Sequence, residues 1–320
     1  LQDLNWTTFS KFSNNLFAFL FEVGKMDLSV GRLYEGHINA LLLIDNYGNL
    51  KQKERYFKEA SDGKLFGVWN TENPKEGLRI NVDDISKTYK LKGSKTFCSG
   101  ALNIDRPIVT AQTENGVQMV VLDLDKEHSL KEDWSQWDPV GMRPSVSCRI
   151  DFTAMIIAED NFLGEANDYY KEPFFSWGAV RFSTVQLGGA QKIANVMLEH
   201  LQKIHRSKNP HQQFRIGKIA ILMQTAQLWM ERAHRIENSI ECVIPADQKI
   251  NFANMMRTLT LDLCEEIILL SEKAVGIQGI MKNHPMERPI RDLRVYLKQA
   301  GPDDTLAHIG NYIDKRSIYD

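Results

Sequence analysis

Two short stretches combine residue types that suit a flat aromatic ligand with polar edges. One is Gly67-Val68-Trp69-Asn70-Thr71-Glu72; the other runs from Tyr89 to Gly100 and ends Lys95-Thr96-Phe97-Cys98-Ser99-Gly100. Each sets small hydroxyl residues beside a large aromatic at the end of a β-forming run. An aromatic ring can cover one face of an isoalloxazine while Ser or Thr hydroxyls and backbone N–H groups meet its ring nitrogens and carbonyls. The same residues also suit an ordinary hairpin with a buried Phe, because strands are rich in aromatic and hydroxyl residues whatever they do.

The elements that must hold these stretches follow from periodicity. Apolar residues fall at helical spacing over Trp6 to Gly24, Leu28 to Gly48 and Gln52 to Ala60, predicting a helical N-terminal layer. From Lys64 the period shortens to two and β-formers dominate for almost a hundred residues. Pro107 to Asp125 reads as a hairpin around Glu114-Asn115-Gly116, with further strands over Ile85 to Lys92, Lys95 to Ser99 and Val146 to Ile157. Helical spacing returns at about Pro173 to Arg206, His211 to Asn238, Asp247 to Val275, Ile290 to Leu297 and Thr305 to Ile313, a set of lengths and short connections that makes a bundle. The expected fold is α+β: a helical domain over 1–63, a β-sandwich or barrel-like middle domain over 64–166 and a helical bundle over 167–320.

Composition narrows the function. A chain of 320 residues with 43% hydrophobic content can bury a sizeable core without staples. A formal net charge of −2, with no dense Lys/Arg block, argues against nucleic-acid binding. No apolar run reaches the length of a membrane span, so no membrane partner is expected. The four cysteines, Cys98, Cys148, Cys242 and Cys264, have no Cys-x-x-Cys spacing and no His at ligand distance in sequence; they read as buried free thiols, with no metal site and a cytoplasmic location. The start at Leu1, without Met or a basic-plus-apolar signal, reads as a trimmed beginning.

The ordered series of motifs resembles the acyl-CoA dehydrogenase family along the whole chain. Trp69-Asn70-Thr71-Glu72 is similar to that family's first flavin strand, and Lys95-Thr96-Phe97-Cys98-Ser99-Gly100 to its second. Gly141-Met142-Arg143, Phe152 and Asn161-Phe162-Leu163-Gly164 resemble its exit from the sheet. Arg181 with Gly188-Gly189-Ala190, Gln213 with Ile219-Ala220, and His284 to Asp292 resemble three helices of its bundle. The resemblance implies FAD as cofactor, bound at Trp69, Asn70, Thr71, Phe97 and Ser99. It also implies that Gln213, Lys273, Gly276 and Gly279 act on the flavin of a neighbouring subunit in a homodimer or homotetramer. An acyl thioester as substrate, oxidised at its CH–CH group, and an electron-transfer flavoprotein as acceptor are implied in the same way.

The departures concern chemistry. The Gly-Ser-Asp turn after the first flavin strand is replaced by Asn73-Pro74-Lys75-Glu76-Gly77, the loop before Gln213 is short, and Lys273 stands where the family has Gln. α-Proton abstraction needs a carboxylate opposite the flavin. At the family's base register the chain has Ala300, and at the alternative register Val180. Asp303 is the remaining candidate base, with Asp304 beside it; the alternative is that both acids cap the helix near Thr305. His308 reads as a helix-surface residue, and Arg288 and Arg291 as partners in interhelix or intersubunit ion pairs. The expected function is therefore a flavin-dependent oxidoreductase. A monooxygenase-like member, which needs no such base, and a non-catalytic binding or structural relative remain as alternatives.

Overall fold

The computed structural model describes residues 16–83, 88–124, 130–239, 244–298 and 301–316. Helices α1 (Leu16–Met26), α2 (Leu28–Tyr47) and α3 (Leu50–Ser61) come first, as the spacing predicts; residues 6–15 of the first predicted helix lie outside the described residues. Asn49 starts α3 with a reciprocal cap: its Oδ1 accepts from the Gln52 N–H, and Gln52 Oε1 accepts from the Asn49 N–H. The strands are β1 (Phe66–Trp69), β2 (Arg79–Asp83), β3 (Thr88–Lys92), β4 (Ser94–Cys98), β5 (Arg106–Thr113), β6 (Gly116–Val121), β7 (Lys131–Asp133), β8 (Cys148–Asp151), β9 (Ile156–Ile157) and β10 (Phe162–Leu163). Then follow α4 (Phe174–Lys203), α5 (Pro210–Glu237), α6 (Ala246–Val275), α7 (Glu287–Tyr296) and α8 (Pro302–Asp314).

Residue contacts divide the chain into two compact units. Of the described residues, the first contains Leu33–Asp138 and Arg143–Lys171; the second contains 16–32, Pro139–Met142 and those from Glu172 onward. The N-terminal helices are thus shared between the units, α1 belonging to the second and α3 to the first.

In the first unit, β10-β6-β5-β2-β3-β9 form one sheet, with β1 added parallel to β5, and β4-β8-β7 form another. The β5–β6 hairpin turns at Glu114-Asn115, within the predicted Glu114-Asn115-Gly116, pairing Thr113 with Gly116. The predicted strand over Val146 to Ile157 is instead two, β8 and β9, which pair with different sheets. The buried side chains Val109, Ala111 and Val120 from one sheet and Cys98, Cys148 and Ile150 from the other share one apolar core, so this unit is a β-sandwich. Helix α3 is joined to the sheet by buried Arg106, whose Nε donates to Glu59 at 2.5 Å and whose Nη1 pairs with Asp123. One guanidinium serves two carboxylates, which is how a buried charge is accommodated.

In the second unit α4 packs closely on α1 and α6. A Cβ on Gly188 would lie 2.1 Å from the Phe21 carbonyl oxygen, and one on Gly24 would lie 2.1 Å from that of Val185. The two backbones touch there, and only glycine permits it. Asp292 of α7 accepts from the Met142 N–H at 2.6 Å, and Arg288 joins Asp27 at 2.6 Å and Asp292 at 3.2 Å. Those residues of the His284 to Asp292 motif serve as structural clamps.

Candidate functional site

The two stretches with which the sequence reading begins lie side by side in the first unit. Thr96 N–H donates to the Thr71 carbonyl at 3.0 Å, Glu72 bridges to Lys95, and the Trp69 indole N–H donates to the Ser99 carbonyl at 3.0 Å. The end of β1 is thereby sewn to β4.

Behind this junction sits Lys95, a fully buried lysine. Its ammonium donates to the Asn70 carbonyl at 3.0 Å and the Thr110 hydroxyl at 2.8 Å, and it pairs with Glu72. Burial pulls its pKa down, and the adjacent Glu72 carboxylate opposes that pull. The Thr110 hydroxyl in turn donates to Asn70 Oδ1 at 2.8 Å, and the Tyr170 hydroxyl donates to the same oxygen at 3.1 Å. Two donors on Oδ1 fix the amide: its nitrogen must face away from them. That NH₂ group has no partner among the described residues and presents two donors.

Phe97 sits on a break in the β4–β8 register between Lys95 and Cys98, with φ at +53°. A bulky residue in the left-handed region is a backbone outlier that costs about 1–3 kcal/mol. Its ring is 60% exposed and meets Trp137 edge-on at 6.5 Å between centroids, so the hairpin with a buried Phe is not what forms. Ser99 continues a chain of hydroxyls: Ser99 Oγ lies 2.9 Å from Ser147 Oγ, which lies 3.2 Å from Ser145 Oγ. Thr71 is exposed at the strand end. Trp69 differs from its neighbours. It is buried in the sandwich core against Phe152 at 6.2 Å, because alternate residues of β1 face inward, so its side chain supports the site from behind.

Lys95, Thr110, Ser147, Trp137 and Tyr170 are the site residues that the sequence reading missed as such. Lys95 stands in the second motif, without a role assigned to it there. Nothing in local spacing marks Thr110, Ser147 or Tyr170, which lie 40, 48 and 100 residues from the atoms they bond.

The remaining predicted residues belong to the second unit. Gln213, in the first turn of α5, donates its amide to the Ser207 carbonyl at 2.6 Å and is exposed. Lys273 is exposed in the last turn of α6; Gly276 follows it at φ +72° with open space where a Cβ would stand. Gly279 is buried, and a Cβ there would meet Met286 Cε at 2.4 Å. Asp303 and Asp304 are exposed in the first turn of α8, which begins at Pro302 after Gly301 in the left-handed region. Gly301 is the N-cap and no side chain caps the helix, so the two acids do not cap it; they stand in its first turn, where carboxylates are favoured by the helix dipole. Val180 is fully buried, while Ala300, at the other base register, and Cys242 lie outside the described residues. Cys98, Cys148 and Cys264 are free and buried, as expected, and burial pushes their thiols up, Cys148 to about 11. Among the described residues no cluster of His, Cys, Asp and Glu could hold a metal ion. No described helix is long and apolar enough to cross a membrane.

Comparison with known proteins meets this geometry. Residues 180–300 match the family model described as "Acyl-CoA dehydrogenase, C-terminal domain". The mitochondrial isovaleryl-CoA dehydrogenase of Solanum tuberosum is 21% identical over 299 residues, covering 88% of this chain and 71% of that protein. Among solved structures, the dibenzothiophene monooxygenase TdsC of Paenibacillus sp. A11-2, also known with FMN bound, has a TM-score of 0.82 at 19% identity over 95% of this chain and 84% of that one. The butyryl-CoA dehydrogenase of Megasphaera elsdenii has a TM-score of 0.80 at 18% identity, over 93% and 81%. The C-terminal match, the extent of the curated similarity and the shared fold agree with the motif series: residues 180–300 match the acyl-CoA dehydrogenase C-terminal domain, and the chain has the fold of that family's solved structures.

Proposed function

We propose that this chain is a flavin-dependent oxidoreductase whose flavin wall consists of Asn70, Thr71, Phe97 and Ser99. The observation that carries the reading is Phe97, an aromatic held exposed in a left-handed backbone on the strand sewn to the end of β1, where the Asn70 amide keeps its donors unspent. Exposing an aromatic and straining the backbone both cost free energy, and a ligand ring over Phe97 offsets both. The residues fit the group: the Asn70 NH₂ supplies donors for flavin carbonyls or ring nitrogens, and the Ser99 hydroxyl either donates or accepts through the Ser147 chain. When bound, a flavin supplies two-electron redox chemistry, as hydride acceptor in a dehydrogenase or as reductant of oxygen in a monooxygenase. In the dehydrogenase reading the substrate is an acyl thioester or a related compound oxidised at its CH–CH group, FAD is the cofactor and an electron-transfer flavoprotein is the acceptor.

The second reading is monooxygenase-like, and a specific observation favours it. Of the two family base registers, Val180 is apolar and buried and the other is Ala300; Asp303 is exposed on a helix turn. Oxygen chemistry needs no α-proton base, and TdsC, whose fold this chain shares, is such an enzyme.

We also infer that the chain works as a homo-oligomer. Phe214, Ile221 and Leu228 of α5 are each more than half exposed and repeat every seven residues. They lie two residues, about 200° of helical turn, from the buried stripe of Ile219 and Ala226. An apolar seam opposite the face that packs into the bundle is suited to a second copy. Gln213 adjoins that seam, and with Lys273, Gly276 and Gly279 it would complete a neighbour's flavin site. The free buried thiols support a reducing compartment, the cytoplasm in this reading.

The test is the visible spectrum of the protein with and without added FAD or FMN, followed by anaerobic addition of acyl-CoA thioesters. A flavin spectrum bleached by a thioester supports the dehydrogenase. A flavin spectrum that thioesters leave unchanged, but that dithionite bleaches and oxygen restores, supports the second reading. No bound or reconstituted flavin overturns both.

A further inference from the structure

A chain of hydrogen-bonding side chains runs from Lys95 through Thr110 and Asn70 to Tyr170, all within the first unit. Its later members do not by themselves define a direction. A hydroxyl donates or accepts, and a carboxamide turned over exchanges an acceptor for a donor at nearly the same place. Thr110 and Tyr170 would therefore serve Asn70 in either orientation, with its oxygen or its NH₂ toward them. The choice falls to whatever member of the chain cannot reverse.

Lys95 is that member. An ammonium has three hydrogens and accepts nothing. Three acceptors surround it: the Asn70 carbonyl at 3.0 Å, the Thr110 hydroxyl at 2.8 Å and the Glu72 carboxylate. Donors and acceptors match one to one, and the carboxylate balances the buried charge. Thr110 is fully buried, so its own hydrogen cannot go to water. Nor can it go to the ammonium, and the Asn70 carbonyl, 3.5 Å away, is already held by Lys95. What remains is Asn70 Oδ1 at 2.8 Å. With that oxygen fixed, the Tyr170 hydroxyl donates to it as well, at 3.1 Å, and the NH₂ of half-buried Asn70 is left without a partner among the described residues.

We propose that Lys95 is a positioning residue: its charge, passed on by the Thr110 hydroxyl, sets the direction of the Asn70 carboxamide, so that the ligand group seated there accepts hydrogen bonds and does not donate them. The polarity belongs to this chain alone; that the ligand is a flavin rests on the reading above. On that reading Asn70 meets a carbonyl or an unprotonated ring nitrogen of the isoalloxazine, and not its ring N–H.

Two measurements separate the polarity from its use. Neutron diffraction from the full chain without added flavin is expected to show three deuterons on Lys95, the Thr110 deuteron directed to Asn70, and the Asn70 ND₂ turned away from Thr110 and Tyr170. Two deuterons on Lys95, or the ND₂ turned toward Thr110, would overturn the proposal whether or not flavin binds. FMN and FAD are then titrated by fluorescence into the parent protein, Asn70→Leu, Asn70→Asp, Thr110→Val and Thr110→Ser, with circular dichroism to verify folding. Asn70→Leu is expected to weaken binding about three- to tenfold, the ratio carried by one neutral hydrogen bond. Asn70→Asp, which sets an oxygen where the NH₂ stood, is expected to bind more weakly still. Thr110→Val is expected to match Asn70→Leu, and Thr110→Ser, which restores the hydroxyl, to lie within about twofold of the parent. Binding by Asn70→Asp as tight as the parent's would mean that the ligand donates there, and would overturn the proposal; so would Thr110→Val at parent affinity while Asn70→Leu is weakened. Should Thr110→Val fail to fold, the neutron map and the two Asn70 variants still decide. Deuterons in the expected places with no flavin bound by the parent would overturn the flavin reading alone.

Discussion

The two units prepare their predicted binding residues in opposite ways. In the β unit the residues at the end of β1 are tied down before any ligand arrives: Lys95 holds the Asn70 carbonyl, while Thr110 and Tyr170 hold its Oδ1. In the helical unit Gln213, Lys273 and Gly276 face outward, and the Gln213 amide is spent on a local carbonyl. The first arrangement is preorganised by its own chain. The second is a set of separate surface positions, and it becomes a site only when something external brings them to a common ligand.

Breaking the first arrangement should have the largest effect. Lys95→Met leaves the Asn70 carbonyl and the Thr110 hydroxyl without their buried donor and should cost about 3 kcal/mol in urea unfolding, with loss of flavin binding. A change below about 1 kcal/mol would mean that the network is not what holds β1 to β4.

Acid should separate the units next. His37, in the first unit, accepts the Phe66 N–H on Nδ1 at 3.1 Å, and burial pushes its pKa down to about 4. The unfolded chain takes up a proton near pH 6.5 that the folded chain refuses until about 4, so the stability is fully present above pH 6.5 and is lost as pH falls through that window. The loss approaches about 3 kcal/mol, and His37→Gln should flatten it. In the helical unit His284 is also lowered, by burial and by His200 at 3.1 Å, but it is half-buried and its contribution is smaller. Hydrogen exchange that showed the helical unit opening first on acidification would reverse this order.

Phe97→Gly tests the strain directly. Relief of the left-handed φ should raise stability by about 1 kcal/mol while flavin affinity falls at least tenfold, a trade that a purely structural Phe would not make. For the helical unit, Ile221→Lys should shift sedimentation toward monomer and weaken flavin binding together; dissociation that left the flavin in place would detach Gln213 from it. The smallest change belongs to Asp303→Asn, which as a first-turn acid should cost about 0.5 kcal/mol and leave flavin reduction intact. Loss of thioester bleaching in that variant would instead identify it as the base.

Much of this was legible in the chain. Helical spacing placed α2 to α8 within a few residues of their observed ends, because amphipathic periodicity is a local property, and Glu114-Asn115-Gly116 located its hairpin because a tight turn needs such residues there. The resemblance of the two motifs to flavin strands grouped Asn70, Thr71, Phe97 and Ser99, where residue types alone left an ordinary hairpin open. The sequence could not reveal that Phe97 is exposed at positive φ, that Trp69 turns into the core, or that the Asn70 amide is oriented from Thr110 and Tyr170. Each of those depends on partners distant along the chain, on strand register and on which face of β1 is buried. A side chain's type belongs to the sequence, whereas its direction and its unspent hydrogen bonds exist only after the sheets have packed.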